Sequence, residues 1–455
     1  MEVMTERQVH NYRAGLNDKS LVFLHNPVNL EGVGPGEREY LKKYDQRALP
    51  IASEGDAVVI EGTSLDLDNA RQLTRYLNTL GYGPNPEHIY SIGNRKGELV
   101  YADLLDNEHL GVDLGNAVTS GIGRDAILSP YHYTPHFELL AQRMGIDYLG
   151  PSNNHDSVKT LADKDHFLKF LQDELGTNVG AYEVIHPGQN VEGELRRILD
   201  EGNMGATLYG KGAEGVSGFG HHKNINNINI NNISRKVAAQ MDDMKRFVVQ
   251  PQYDIRDTPS VIYRITDEGV YGLSPVGNQL MGNDGDHQGN MVPPAGFPKG
   301  LESIVEEVSD RIAGAAYKIG FRGELGIDSM TDPYQNILPG EINARPTGFT
   351  PLAVIHERST TRFNNPVHAL YFSTKSGNPE NLDEVMYKLG NAGVLITDPD
   401  QRSGVMPIFT GQMPYNGKVG MAVIAESRDK RGEIARDAAL ALGDMDALQF
   451  LTERA

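Results

Sequence analysis

At 455 residues the chain exceeds the roughly 250–300 at which a single core stops growing, so more than one domain is expected. A hydrophobic content of 39 % with 50 Gly and 24 Pro excludes a disordered chain or a helical bundle and describes a turn-rich globular protein. The net charge of −19 argues against a nucleic-acid or anionic-membrane partner, and zero cysteines exclude disulfides, zinc–thiolate sites and thiol chemistry.

No apolar run approaches the ~20 residues of a membrane span, and MEVMTERQVHNYR lacks the apolar core of a signal peptide. With no cysteine, the expected location is the cytoplasm. Residues 1–150 alternate between strand-like and helix-like stretches. SLVFLHNPV (20–28) and DAVVIEG (56–62) read as buried strands. DLDNARQLTRYLNTL (66–80) carries a helical stripe through Leu67, Ala70, Leu73, Leu77 and Leu80, ended by Gly81. Strand candidates follow at 88–93 and 98–105, then a helix at 136–145 and a short strand at 146–152. This is a small α/β layer domain with a parallel sheet. The loop at 25–37 leaves the first strand where such sheets bind ligands, without the spacing of a dinucleotide loop.

A helical pattern at 153–176 has Asp163 as an N-cap and Gly176 as its stop, with Lys164 at the start of the helix. A strand at 177–188 and a helix at 190–201 lead to GATLYGKGAEGVSGFGHHK (205–223), where Lys211 precedes a loop bearing Gly212, Gly215, Gly218 and Gly220. Residues 210–215 match G-x-G-x-x-G, but no helix opens after them and no Gly-Lys-Ser/Thr closes the loop, so neither a Rossmann nor a Walker A site fits. What remains is a glycine loop whose backbone N–H groups can approach a phosphate, or an ordinary hairpin. His221 and His222 point to opposite faces of a strand and make a poor metal pair. The Asn/Ile run at 224–232 reads as a surface loop or an exposed strand.

RFVVQPQYDIRD (246–257) is a strand, and 261–281 reads as two strands joined at Asp267–Gly269, with Arg264 mid-strand. The glycine-rich, acidic stretch 282–290 has the composition of a lid. A helix at 301–320 precedes a strand at 321–330 carrying Asp328, and the TDPYQN loop returns the chain to LPGEINARPTG (338–348). Period-2 alternation there puts Glu341, Asn343 and Arg345 on one face and Ile342 and Ala344 on the other. A carboxylate, an amide oxygen and a guanidinium can hold Mg²⁺ and an anion, or form a solvated strand face; convergence with Asp328 favours the cation. From about 376 three strands and a helix at 428–443 read as a small α/β unit without a motif.

A lysine opening a helix, a second before a glycine loop, then Asp and Glu-x-Asn-x-Arg on late strands: over 151–360 this order resembles the ATP-grasp superfamily. GEINARPTGFTP with a small C-terminal unit more narrowly resembles the pheganomycin-type peptide ligases. The resemblance implies an α/β and α+β chain of a pre-ATP-grasp domain (1–150), an ATP-grasp region (151–375) and a C-terminal α/β domain (376–455). It implies ATP and Mg²⁺ as cofactors and joining of a small-molecule carboxylate to an amine or peptide. The phosphates would meet Lys164, Lys211 and the glycines Gly212, Gly215 and Gly218, and the adenosine Gln250, Gln252 and Tyr253. Mg²⁺ would fall to Asp328, Glu341 and Asn343, and the transferred phosphoryl group and carboxylate to Arg264 and Arg345. The Glu often found at the ribose has no counterpart here, so that contact is unassigned. A carrier-protein thiol as acceptor and a non-catalytic nucleotide-binding role are the alternatives; symmetry statistics favour a homodimer.

Overall fold

A computed structural model describes residues 9–25, 42–93, 104–105, 107–152, 154–176, 179–213, 221–282, 287–375 and 381–454. Gly215, Gly218, nearly all of the 25–37 loop and the strand expected at 98–103 lie outside the described residues; Leu104 and Leu105, expected at that strand's end, are helical.

Three sheets organise the chain. The first contains β1 (Ser20–Leu24), β2 (Ala57–Ile60), β3 (Ile89–Ser91), β4 (Ala126–Pro130) and β5 (Asp147–Tyr148), all parallel, in the order β3-β2-β1-β4-β5. Three helices pack on it: α1 (Ser64–Thr79), α2 (Glu108–Ile122) and α3 (Pro135–Met144). Thr63 and Asp66 form a reciprocal capping box that starts α1, which buries Ala70, Leu73 and Leu77 on the sheet. The strand order reverses between β1 and β4, so the carboxyl ends of those strands flank the crevice where open α/β sheets receive ligands.

The helical pattern at 153–176 divides in two, α4 (His155–Ala162) and α5 (Lys164–Leu175). Asp163, extended at φ −82° and ψ 122°, ends the first and caps the second, its side chain accepting from the N–H groups of Asp165 and His166. The second sheet is antiparallel, ordered β6-β9-β7-β8, from β6 (Glu183–Ile185), β7 (Leu208–Gly212), β8 (His222–Ile225) and β9 (Phe247–Pro251). Its helices are α6 (Val191–Glu201) and α7 (Ile230–Met244), and it has its own apolar interior around Leu195, Leu208, Val237 and Phe247. The Asn/Ile run is thus neither a loop nor a strand throughout: it ends β8 and opens α7. Ile230, Ile233, Val237 and Met241 form the buried stripe of that helix.

The third sheet has nine antiparallel strands. They are β10 (Pro259–Thr266), β11 (Gly269–Gly272), β12 (Gly277–Met281), β13 (His287–Val292), β14 (Gly323–Thr331), β15 (Ile337–Asn343), β16 (His368–Lys375), β17 (Gly404–Phe409) and β18 (Lys418–Ala425). The order is β15-β14-β10-β12-β13-β16-β18-β17, with β11 on β10. The stretch 261–281 therefore holds parts of three strands rather than two, and the second half of the 282–290 stretch is β13. β17 and β18 extend this sheet from β16, so no sheet boundary falls at residue 376. The longer helices are α8 (Leu301–Lys318), α9 (Thr350–Phe363), α10 (Leu382–Asn391), α11 (Arg428–Leu442) and α12 (Met445–Arg454). Among the described residues no helix is long and apolar enough to cross a membrane.

Candidate active site

A cleft of about 920 Å³ lies over one face of the nine-stranded sheet. Residues of β7 and β9 wall one side, and Tyr131, just past β4, reaches in from the first sheet. The hairpin of β14 and β15 supplies its polar end. Asp328 stands opposite Glu341 and Gly326 opposite Asn343, while Ile342 and Ala344 are 4 % exposed and packed in the core. The expected division of the strand into a polar and an apolar face is what the register produces. Between Asp328 and Ser329 the register shifts and Gly340 is the unpaired residue of a bulge. A Cβ at Gly340 would stand 3.1 Å from the Asp328 carbonyl oxygen, so glycine lets the strands close.

That bulge aims a carbonyl at the second sheet. Lys211, on β7 and 4 % exposed, donates from Nζ to the Gly340 oxygen at 3.0 Å. Lys164 is tied from the other side: its backbone N–H donates to the Ala213 oxygen at 3.0 Å, and its Nζ lies 3.6 Å from Glu341 Oε2. Burial, with Lys164 beside it, brings the Lys211 ammonium down to about 8 against the pull of Glu341. Burial would raise the Glu341 carboxyl, but Lys164, His221, Lys211 and Arg345 together bring it down to about 2. Asp328 goes the other way. Burial and the Glu341 charge raise it to about 7, although Ser260 Oγ donates to Oδ1 at 2.6 Å and Asn343 Nδ2 to Oδ2 at 2.8 Å.

Two carboxylates and an amide on adjacent strands form a hard oxygen donor set of the kind that Mg²⁺ takes. A divalent cation between them would remove the repulsion that raises Asp328, so the residues fit the metal. A separate trio, Asp163, Asp165 and His166, is committed elsewhere: Asp163 caps α5 and pairs with Arg246.

The other expected residues divide. Gln250, Gln252 and Tyr253 line the cleft, Gln250 being 5 % exposed, and Gln252 Oε1 accepts from the Asn224 N–H at 3.2 Å. Arg345 lines it too, donating to the Tyr131 hydroxyl at 3.2 Å with its guanidinium 5.3 Å from the ring centre. Gly212 pairs with Phe247 inside the second sheet and is not part of the cleft lining. Arg264 requires correction. It is fully buried, donating to Glu324 Oε1 at 2.8 Å and to the Tyr12 carbonyl, and faces no cleft. The reason is distance along the strand: Arg264 shares a face with Ser260, but four residues at ~3.3 Å each carry it about 13 Å from the Asp328 pair.

Sequence reasoning missed Ser260 and Gln279, which reach the cleft from separate strands and form no local motif, whereas Tyr131 and Asn290 fall in the stretches 130–136 and 282–290 where the sequence places a substrate pocket. It also set His221 aside. His221 faces the cleft, shares a 2.8 Å hydrogen bond with the Tyr209 hydroxyl, and is brought down to about 3 by burial and Lys164. Its neighbour His222 packs on Phe247, so the two diverge as the strand requires.

No family model matches the sequence, and no curated protein matches it. Solved structures do. The biotin carboxylase domain of a 2-oxoglutarate carboxylase from Hydrogenobacter thermophilus, a dimer with MgADP and bicarbonate, is 12 % identical with a TM-score of 0.60 and coverage of 96 % of this chain and 97 % of that one. Biotin carboxylase from Campylobacter jejuni, in complex with an ATP analogue, is 12 % identical at TM-score 0.59, over 96 % of this chain and 99 % of that one. An N5-carboxyaminoimidazole ribonucleotide synthetase with ADP is 9 % identical at 0.55, over 96 % and 97 %. At nearly full length, the architecture of this chain is the ATP-grasp fold.

Proposed function

We propose that the chain is an ATP-dependent carboxylate–amine ligase that activates an acid as its acyl phosphate and joins it to an amine, forming a peptide bond. One observation carries this reading: Glu341, kept ionised by two buried lysines from separate elements, stands opposite Asp328 and two residues before Asn343 on one face of β15, in the cleft. The fold likeness, with ADP or an ATP analogue in the solved neighbours, supports ATP as the phosphoryl donor. Asp328, Glu341 and Asn343 would hold Mg²⁺, which supplies charge neutralisation at the phosphates.

A carboxylate acylates poorly because its leaving group would be oxide; phosphorylation by ATP gives it phosphate as a leaving group. Lys164 and Lys211, both beside Glu341, would balance the charge of the triphosphate. Gln250, Gln252 and Tyr253 offer the edge against the adenosine. Arg345, oriented by Tyr131, holds the substrate carboxylate and then the oxyanion formed when the amine attacks. The amine gives up a proton, the C–O bond to phosphate breaks, and an amide and inorganic phosphate remain. No nucleophilic side chain is required.

A second reading has a specific motive: the carboxylating enzymes among the neighbours match this chain along nearly its whole length. Bicarbonate would then be the acid activated. The test is phosphate release from MgATP with panels of amino acids, short peptides and bicarbonate, wild type beside Glu341→Ala. Release that needs an organic acid and an amine, and collapses in the variant, supports the peptide ligase. Release that needs bicarbonate moves the assignment to carboxylation, and release without Glu341 dependence removes the metal site.

A further inference from the structure

The cleft extends well beyond the metal and phosphate end. Registers give the order of its floor: Glu341 opposite Asp328, Asp328 opposite Ser260, then Gln279 opposite Asn290 and Asn290 opposite Tyr371. Crossing from β15 to β16 takes five strand steps, about 24 Å along the sheet at ~4.8 Å each. On β16, Tyr371, Ser373 and Lys375 enter the cleft at alternate positions. β18 opposes them with Ala422, Gly420 and Lys418. Gly420 leaves room for the aromatic ring: a Cβ there would stand 3.2 Å from Tyr371 Cε2.

The row ends on Lys375 directly opposite Lys418, both lining the cleft. Like charges in directly opposed positions destabilise a sheet. Among the described residues neither lysine forms an ion pair, in a chain with 61 acidic side chains against 42 basic ones. The adjacent acid is already engaged: Asp444 accepts from the Lys375 backbone N–H and from Thr374 Oγ1. At this end α12 adds Arg454 and Glu453, the latter accepting from Gln449 at 3.1 Å. Three cations thus stand against two carboxylates, Glu453 in the cleft lining and Asp444 beside β16, far from the phosphate end.

We infer that the Lys375–Lys418 corner is a subsite for the terminal anion, carboxylate or phosphate, of an extended acceptor whose reacting amine lies at Arg345. This deepens the ligase reading and rests on it. An extended peptide advances about 3.3 Å per residue, so about seven residues span the floor, whereas a single amino acid reaches only one end.

The test is calorimetric binding to the full chain in the presence of MgADP. The probes are an eight-residue Gly/Ser peptide with a free amine, prepared as the free acid, the C-terminal amide and a C-terminal phosphate ester, beside a dipeptide acid and its amide. The expected result is binding of the long acid or the phosphate ester about tenfold tighter than the long amide. That gain should vanish in Lys375→Gln/Lys418→Gln, with no acid–amide difference for the dipeptides. Whichever terminal group shows the lysine-dependent gain names the anion. Equal binding of all three long peptides to wild type, or a gain that survives in the double variant, overturns the subsite. Relief of like-charge repulsion should leave the melting temperature of the double variant unchanged or raised, so lost binding is not lost folding. Because binding is read without turnover, a lysine-dependent gain without peptide ligation would sink the ligase reading and keep the subsite.

Discussion

β10 and β14 carry two directly opposed polar pairs on one face, four residues apart: Ser260 with Asp328, and Arg264 with Glu324. The first opens into the cleft. The second is sealed: both side chains are 0 % exposed, Tyr12 stacks on the guanidinium and donates to Glu324, and Tyr133 accepts from the Glu324 N–H. Glu324 has its countercharge in place, and its burial shuts the pair away from any ligand. Around Asp328 and Glu341 the lysines belong to other elements and the carboxylates still repel, a repulsion that a bound cation would relieve. What is packed above a strand, more than the residues on it, separates a site from a strut.

The sharpest way to break this comparison is Glu341→Ala. If the cleft pair is functional, turnover should fall by about 10²–10³-fold while thermal melting is nearly unchanged. Arg264→Met should do the reverse. Leaving Glu324 buried without its partner should cost about 3–5 kcal/mol in urea unfolding, and Arg264→Met/Glu324→Leu should recover most of it. The affinity of the folded fraction for ATP should not move; if it does, the sealed pair is no strut.

Titration sharpens the contrast further. Lys211 carries its charge below about pH 8 and loses it above, so kcat/KM should decline by about tenfold per unit beyond that point, and the decline should disappear in Lys211→Met. Stability runs the opposite way. Between pH 8 and 10.5 the unfolded chain holds the lysine proton that the folded chain has released, so this group's contribution to stability rises with pH there. Urea midpoints across that window check the sign. The smallest effect belongs to Tyr131→Phe, which removes the 3.2 Å bond to Arg345 and should raise the KM for the acid by about three- to tenfold.

Local patterns were readable. The alternation around Glu341, the cap at Asp163 and the lysines beside them could be taken from the chain because each depends on neighbours a few residues away. Arg264 could not, because Tyr12 lies far off in sequence and covers it only in the fold. His221 carries no local signal, because its partner Tyr209 meets it across the hairpin rather than along the strand. α7 was hidden by its asparagines, although Ile230, Ile233, Val237 and Met241 already carry a helical spacing. The placement of β17 and β18 rests on pairing with β16, and no pattern within residues 376–455 reveals a partner outside it.

The four-stranded sheet has an apolar interior of its own, yet one of the two buried lysines sits on it and the other is tied to it through Ala213. Its local opening should then precede the opening of the whole chain. Amide exchange in α6 and α7 would report the first, and exchange in β14 the second. A mutation at Val237 or Leu195, remote from every reacting atom, would loosen the grip on a triphosphate while most of the chain stayed protected.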